Sequence, residues 1–162
     1  MPLFAFALTL VGTRPGGVVA GGGMLRAGEG HRLAAFSRGC FWGIEARFRA
    51  VPGVVATAVG YMGGTERNPT YESIHANQTG HVETVLVEYD PARVAYERLL
   101  DKFQESSPGK RSVVWSFDDD GLRASRARFG EKARLVETFW LAEERHQQYN
   151  ERSGLDICPV YP

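Results

Sequence analysis

Apolar residues in this chain change period in a fixed order, and that order constrains the fold more than any other feature. Leu33-Ala34-Ala35-Phe36 is a short apolar run, read as a strand over Leu33 to Ser37. Phe41, Ile44 and Phe48 then recur at i, i+3 and i+7, one face of a helix over Phe41 to Ala50. Glu45 and Arg49 sit four apart on another face, in the favourable order for an ion pair. Val54 to Tyr61 is rich in Val and Thr and reads as a strand. A polar loop from Met62 to Gly80 separates it from Val82 to Tyr89, a strand with Val85, Val87 and Tyr89 on one side. Tyr96, Leu99, Leu100 and Phe103 return to the helical spacing. Val113, Trp115 and Phe117 alternate with Ser112, Val114 and Ser116 as a half-buried strand ending at the turn Asp118-Asp119-Asp120-Gly121. The order β-α-β-β-α-β is that of a ferredoxin-like, two-layer α/β (α+β) sandwich, with helices on one face of an antiparallel sheet. A helix over Leu122 to Ala133, with Arg123, Arg126 and Arg128 on a solvated face, a last helix over Phe139 to Glu151 and a loose, mobile tail from Ser153 to Pro162 complete the reading.

The 162 residues make one domain's worth of chain, and 43% hydrophobic content suffices for a core. Lysine plus arginine equals aspartate plus glutamate at 19 each, so net charge favours neither nucleic acid nor a membrane surface as partner. A monomer is expected. Residues 1–30 differ from the rest: Met1 to Val11 is almost wholly apolar and Gly16 to Gly23 is glycine-rich without the ending of a phosphate loop. The first positive side chain, Arg14, lies beyond the apolar run, which does not suit a signal peptide, and the run is too short to span a bilayer. Residues 1–30 are therefore expected to be a disordered or non-native extension, and 31–162 a single domain. A cytoplasmic location is expected, with export the alternative if the apolar N-terminus acts as a signal.

Gly39-Cys40-Phe41-Trp42-Gly43 carries the chemistry. Cys40 lies at a strand-to-helix junction, in the first turn of the helix, where unpaired backbone amides and the positive end of the helix dipole favour an anion. Such a setting lowers a thiol pKa below its free value near 8.5. The only other thiol is Cys158, 118 positions on, which suits an intracellular thiol pair better than a secreted disulfide framework. No metal-ligand spacing occurs among Cys40, Cys158, His31, His75, His81 and His146, so neither metal nor cofactor is expected. Glu83 shares a strand face with Val85, Val87 and Tyr89. Desolvation on that apolar face would raise its pKa and keep a fraction protonated near neutrality, as a general acid requires; a carboxylate at the wet end of the strand is the other reading.

Gly39-Cys40-Phe41-Trp42-Gly43-Ile44-Glu45 resembles the signature of the A-type methionine sulfoxide reductases. Further matches follow in the family's order: Pro52-Gly53-Val54, Gly60-Tyr61-Met62-Gly63-Gly64, Asn68-Pro69-Thr70-Tyr71, Thr79-Gly80-His81-Val82-Glu83, Tyr89-Asp90-Pro91, and Ala142-Glu143 ahead of His146-Gln147-Gln148-Tyr149. The resemblance covers about residues 33 to 158. It implies the same two-layer sandwich and reduction of methionine-S-sulfoxide, free or in proteins. By that resemblance Cys40 is the nucleophile, Phe41 and Trp42 wall the methyl group of the substrate, Glu83 supplies the proton, and Tyr71 helps to hold the substrate oxygen. Cys158, in Gly154-Leu155-Asp156-Ile157-Cys158, resembles the resolving cysteine of members with mobile tails, where Gly154 would let the tail swing. The Cys40 sulfenic acid would condense with it to a disulfide that thioredoxin or a similar dithiol reduces.

One departure stands out. Many members carry a longer loop with an aspartate and Gln-Tyr-Arg-Ser before the last core strand. Here Ser107-Pro108-Gly109-Lys110-Arg111-Ser112 replaces it, and Lys110 falls where the tyrosine would be. The alternative reading is therefore a catalytically weakened member that binds oxidised methionine without efficient turnover. A general thiol peroxidase or disulfide exchanger is disfavoured, because no Cys-x-x-Cys pair is present.

Overall fold

The computed structural model describes residues 18–19, 23–24, 26–76, 78–106 and 108–155. Within the N-terminal extension it pairs Val18–Val19 with Gly23–Met24 in an antiparallel ladder; the remaining expectations for residues 1–25 and for the tail beyond Leu155, Cys158 included, lie outside the described residues.

The main chain then runs β1 (Arg32–Ser37), α1 (Phe41–Arg49), β2 (Val54–Met62), α2 (Tyr71–Ala76), β3 (Val82–Tyr89), α3 (Tyr96–Glu105), β4 (Val113–Ser116), α4 (Asp119–Phe129), β5 (Ala133–Leu135), β6 (Trp140–Leu141) and α5 (Tyr149–Ser153). The strands form one open sheet of order β5-β4-β1-β3-β2-β6. Its four central strands are all antiparallel and follow the expected β-α-β-β-α-β order. The edge adds what the period pattern missed: β4 and β5 are parallel, joined through α4.

Burial explains the layers. Phe36, Val59, Val85 and Val87 face one way and meet Phe41, Ile44 and Phe48 of α1 and Leu99, Leu100 and Phe103 of α3. Phe36 stacks on Phe48 at 4.5 Å between ring centres. Ala35, Leu86 and Trp115 face the other way, and Val136 and Phe139 cover them. Every residue of β4 is buried, so the expected half-buried strand is wrong. Its two faces are closed by helices on one side and the chain after β5 on the other.

Three other expectations need correction. The loop from Met62 to Gly80 contains α2, whose start is fixed by a reciprocal cap: Thr70 Oγ1 accepts from the Ser73 amide at 3.1 Å and Ser73 Oγ from the Thr70 amide at 3.0 Å. The helix expected over Leu122 to Ala133 starts earlier, because Asp118 caps it through the Gly121 amide at 2.7 Å, and ends at Phe129. Arg123, Arg126 and Arg128 are exposed, as expected of a solvated face. The helix expected over Phe139 to Glu151 does not form. Trp140–Leu141 instead pairs with Gly60 and Tyr61 of β2, a single helical turn follows at Glu144–His146, and only Tyr149–Ser153 is α-helical. Gln147 prevents the longer helix: its amide accepts from Val59 N–H at 2.9 Å and donates to the Val59 and Ala142 carbonyls. Gly60 permits this close crossing, since a Cβ there would stand 2.3 Å from the Trp140 carbonyl oxygen. Tertiary contact overrides helical pattern here.

Candidate active site

Gly39, at φ +108, turns the chain out of β1 in a conformation that side chains resist, and α1 begins at once. Cys40 takes the N-cap position, one residue before the expected first turn; its side chain does not cap the helix. It is half-buried. No acidic residue of α1 itself occupies its first turn, so the positive end of the helix is shared between Cys40 and the Glu83 carboxyl, which meets the Phe41 amide.

Glu83 sits near the start of β3, directly across from Tyr61 of β2. Its side chain is 12% exposed. Burial pushes its carboxyl up to about 7, against the pull of His75 and of the Phe41 backbone amide. Its Oε1 is buried without a hydrogen-bond partner. His75 Nε2 lies 3.9 Å from Oε2, while His75 Nδ1–H donates to the Tyr71 carbonyl at 2.7 Å. The expectation of a desolvated carboxyl at Glu83 therefore holds, and the strand-end reading does not.

Phe41, Trp42 and Tyr71 come together as the sequence suggested. Trp42 is parallel to Tyr71 at 6.2 Å, and Phe41 lies 6.3 Å from Tyr71. What the sequence reading missed is the other half of this cluster. Tyr149 of α5 stacks on Trp42 at 4.0 Å and His146 stacks on Tyr71 at 4.5 Å. The Trp42 indole N–H donates to His146 Nδ1 at 3.2 Å. Burial lowers the His146 pKa, so the ring stays neutral and able to accept. Glu143 ties the rim together, its Oε2 accepting from Tyr61 Oη at 2.9 Å and its Oε1 from the Tyr71 amide at 3.0 Å. Burial and this carboxylate hold the Tyr61 phenol above its ordinary range.

Beneath Trp42 lies a second unforeseen arrangement. Glu45 is 1% exposed and does not rely on the expected Arg49 pair. It accepts from Thr57 Oγ1 at 2.8 Å, from the Gln148 amide at 2.9 Å and from Gln148 Nε2 at 3.1 Å. Burial raises its pKa, the bonds opposing. Arg49 instead forms a two-point pair with Glu151 of α5, at 2.6 and 3.1 Å. Gln148 is left-handed (φ 49), so Glu45 holds the strained residue that launches α5 and sets Tyr149 on Trp42. The motif spacing around His146 and Tyr149 was the available signal.

Beside Glu83 opens a cavity of about 330 Å³, lined also by Arg38, Gly39, His75, Lys110 and Arg111. Among the described residues no cluster of His, Cys, Asp and Glu could hold a metal ion, and no helix is long and apolar enough to cross a membrane.

A sequence model of the family described as peptide methionine sulfoxide reductase matches residues 32–121, more than half of the chain. The chain belongs to this family. The peptide methionine sulfoxide reductase MsrA of Geobacter sulfurreducens is 42% identical over 151 residues, 77% of this chain and 93% of that protein. The solved methionine sulfoxide reductase A of Corynebacterium diphtheriae superposes with a TM-score of 0.68 at 28% identity, over 99% of this chain and 95% of that one. Mxr1 of Saccharomyces cerevisiae, solved in complex with Trx2, shares the fold at a TM-score of 0.51 and 20% identity, over 88% and 94% of the two chains. As an A-type member the chain is an oxidoreductase that reduces methionine sulfoxide.

Proposed function

We propose that this chain reduces methionine-S-sulfoxide through Cys40 as nucleophile and Glu83 as acid. The Cys40 thiolate attacks the sulfoxide sulfur while Glu83 delivers its proton to the oxygen. Attack forms an Sγ–S bond and leaves the oxygen as a hydroxyl on the substrate sulfur; that hydroxyl then passes to Cys40 Sγ, directly or by loss and re-addition of water, as the S–O and Sγ–S bonds break. Methionine leaves and Cys40 remains as a sulfenic acid, oxidised by two electrons while the substrate sulfur is reduced by two. Phe41 and Trp42 supply the apolar wall for the methyl group, and Tyr71, packed against both, holds the oxygen. Cys158 then condenses with the sulfenic acid, releasing water, and a thioredoxin-type dithiol reduces the disulfide. The complex of yeast Mxr1 with Trx2, a protein of the same fold, supports such a donor.

The observation that carries this reading is the Glu83 carboxyl, held up to about 7 with an unpartnered buried oxygen and bonded to the amide of Phe41, which follows the N-cap Cys40. Reduction of a methionine-S-sulfoxide substrate by purified protein with dithiothreitol tests it; no turnover of the S epimer would end it. The weakened-binder reading draws on one observation, the exposed Lys110 on the cavity rim, where the resembled family pattern has a tyrosine. The same assay decides between them, since a binder would protect oxidised methionine without reducing it.

A further inference from the structure

The cavity beside Glu83 has an electrostatic character that sulfoxide reduction does not need. Arg38, Lys110 and Arg111 line it, against a single carboxyl, Glu83, among the described lining residues. Elsewhere Arg49, Arg98, Arg123, Arg128, Arg145 and Arg152 each pair with a carboxylate, while scattered single residues such as Arg47, Arg67 and Arg126 do not among the described residues. Among the described residues no such pair involves Arg38, Lys110 or Arg111.

The loop holds these charges in place. The Gly109 carbonyl accepts from the Ser112 amide at 3.2 Å and from Lys132 Nζ at 2.9 Å, closing a turn that carries Lys110 and Arg111 at its tip. Arg38 stands at the end of β1, and its Nε is buried and makes no hydrogen bond. An atom shut off from solvent is out of a ligand's reach, so the donors Arg38 offers to the cavity are its terminal guanidinium nitrogens. Three cations around one cavity, none with a carboxylate partner among the described residues, describe a receptor for an anion with planar acceptor oxygens.

We propose that this rim is a carboxylate subsite of the reductase, in which Arg38, Lys110 and Arg111 receive an acidic group carried by the substrate next to the oxidised methionine. The group is either the side chain of a flanking aspartate or glutamate or the terminal carboxylate of a methionine sulfoxide at a chain end. Gly39 and Glu83 line the same cavity, so a substrate whose sulfoxide meets Cys40 and Glu83 has its neighbouring residue within reach of the rim. This specificity rests on the reductase reading above. It also gives the shortened loop a role: the lysine and arginine at its tip select substrates by charge.

The test compares kcat/KM, at low salt with dithiothreitol as donor, for blocked tripeptide amides carrying methionine-S-sulfoxide in the centre. Glutamate or glutamine stands before or after it; a second pair compares a blocked methionine sulfoxide ending in a free carboxylate with its methylamide. The glutamate or free-carboxylate member of a pair should exceed its neutral partner by about 10-fold, the contribution expected of two or three partly exposed charge contacts. That ratio should fall toward one when Lys110→Gln and Arg111→Gln are combined, and also in 0.5 M salt. Which pair shows the advantage names the source of the carboxylate. A ratio near one in the unsubstituted protein, with both peptides reduced, overturns the subsite and leaves the reductase reading intact, as does a ratio unmoved by the double substitution. Reduction of none of the peptides sinks both.

Discussion

Replacing Glu83 by Gln isolates the proton-donor role. With its carboxyl pushed up to about 7, roughly half of the molecules carry the Glu83 proton at pH 7. A glutamate at 4.5, the ordinary value, would be protonated in about one molecule in 300. Burial thus increases the population of the acid by about 150-fold, enough to make a carboxyl useful at neutral pH. Glutamine keeps the shape but has no proton to give, so kcat/KM at pH 7 should fall on the order of 10²-fold or more. The pH profile separates lost chemistry from lost geometry. Between pH 6 and 8 the protonated fraction of Glu83 falls about 10-fold, giving the parent an alkaline limb. In the Gln variant that limb should be absent. Substituting His75 by Gln removes the charge that pulls Glu83 down, so the alkaline limb should move to higher pH. The shift should be modest, because His75 is nearly half exposed. An alkaline limb near pH 7 that survives Glu83→Gln would refute the assignment.

The same group predicts a stability signature with a definite sign. The folded carboxyl titrates near 7 and the unfolded one near 4.5, so the folded state holds the proton more tightly. The stability this contributes is full below about pH 4.5 and is lost as pH rises through 7, reaching as much as about 3 kcal/mol. Glu83→Gln does not ionise. Its Tm relative to the parent should therefore rise between pH 5 and pH 8; a pH-independent difference would contradict burial as the cause of the raised pKa.

Three further outcomes follow. Cys40→Ser should abolish reduction, because a hydroxyl is a far weaker nucleophile than a thiolate, and retained activity would remove Cys40 from the mechanism. Cys158→Ser should complete one round of attack and then stall with thioredoxin while dithiothreitol restores turnover; equal thioredoxin-driven rates in variant and parent would make Cys158 a bystander. Glu45→Ala leaves the buried groups of Thr57 and Gln148 without an acceptor, so it should destabilise by about 3 kcal/mol and lower Tm by about 10 °C, with a change in Trp42 fluorescence as Tyr149 loosens; a Tm within 2 °C of the parent would contradict the network.

The central sheet was legible because its strands and helices differ in period. Phe41, Ile44 and Phe48 face the core as their spacing requires, and Val85, Val87 and Tyr89 share one side of β3. Legibility failed where long-range contacts decide conformation. Phe139 to Glu151 has the composition of a helix, but Gln147 binds the backbone of β2 and Trp140 pairs with Tyr61, contacts that span more than 70 positions. Nothing local to that segment announces them. The alternation over Val113 to Phe117 was real, yet it could not reveal that Val136 and Phe139 return to cover the second face.

The candidate site divides along the same line. Cys40, Glu83, Phe41 and Trp42 stand out because their types conflict with their settings: a thiol at a helix start and a carboxyl on an apolar strand face. Glu45 obeyed a familiar local rule instead, and that rule misled. A glutamate four before an arginine suggests a solvated pair, whereas the Glu45 carboxyl is buried and bonded to Gln148, 103 positions away. Arg49 is thereby left to Glu151, and the two bonds together tie α1 to α5 from both ends of the pair. A buried carboxylate that binds a left-handed backbone residue is an expensive way to hold two helices, and apolar packing would serve stability as well. Its gain is directional: hydrogen bonds fix the rotation of α5, and only one rotation sets Tyr149 flat on Trp42 at 4.0 Å. The orientation of Trp42 and Tyr149 against each other is thus set by a carboxyl that belongs to neither ring.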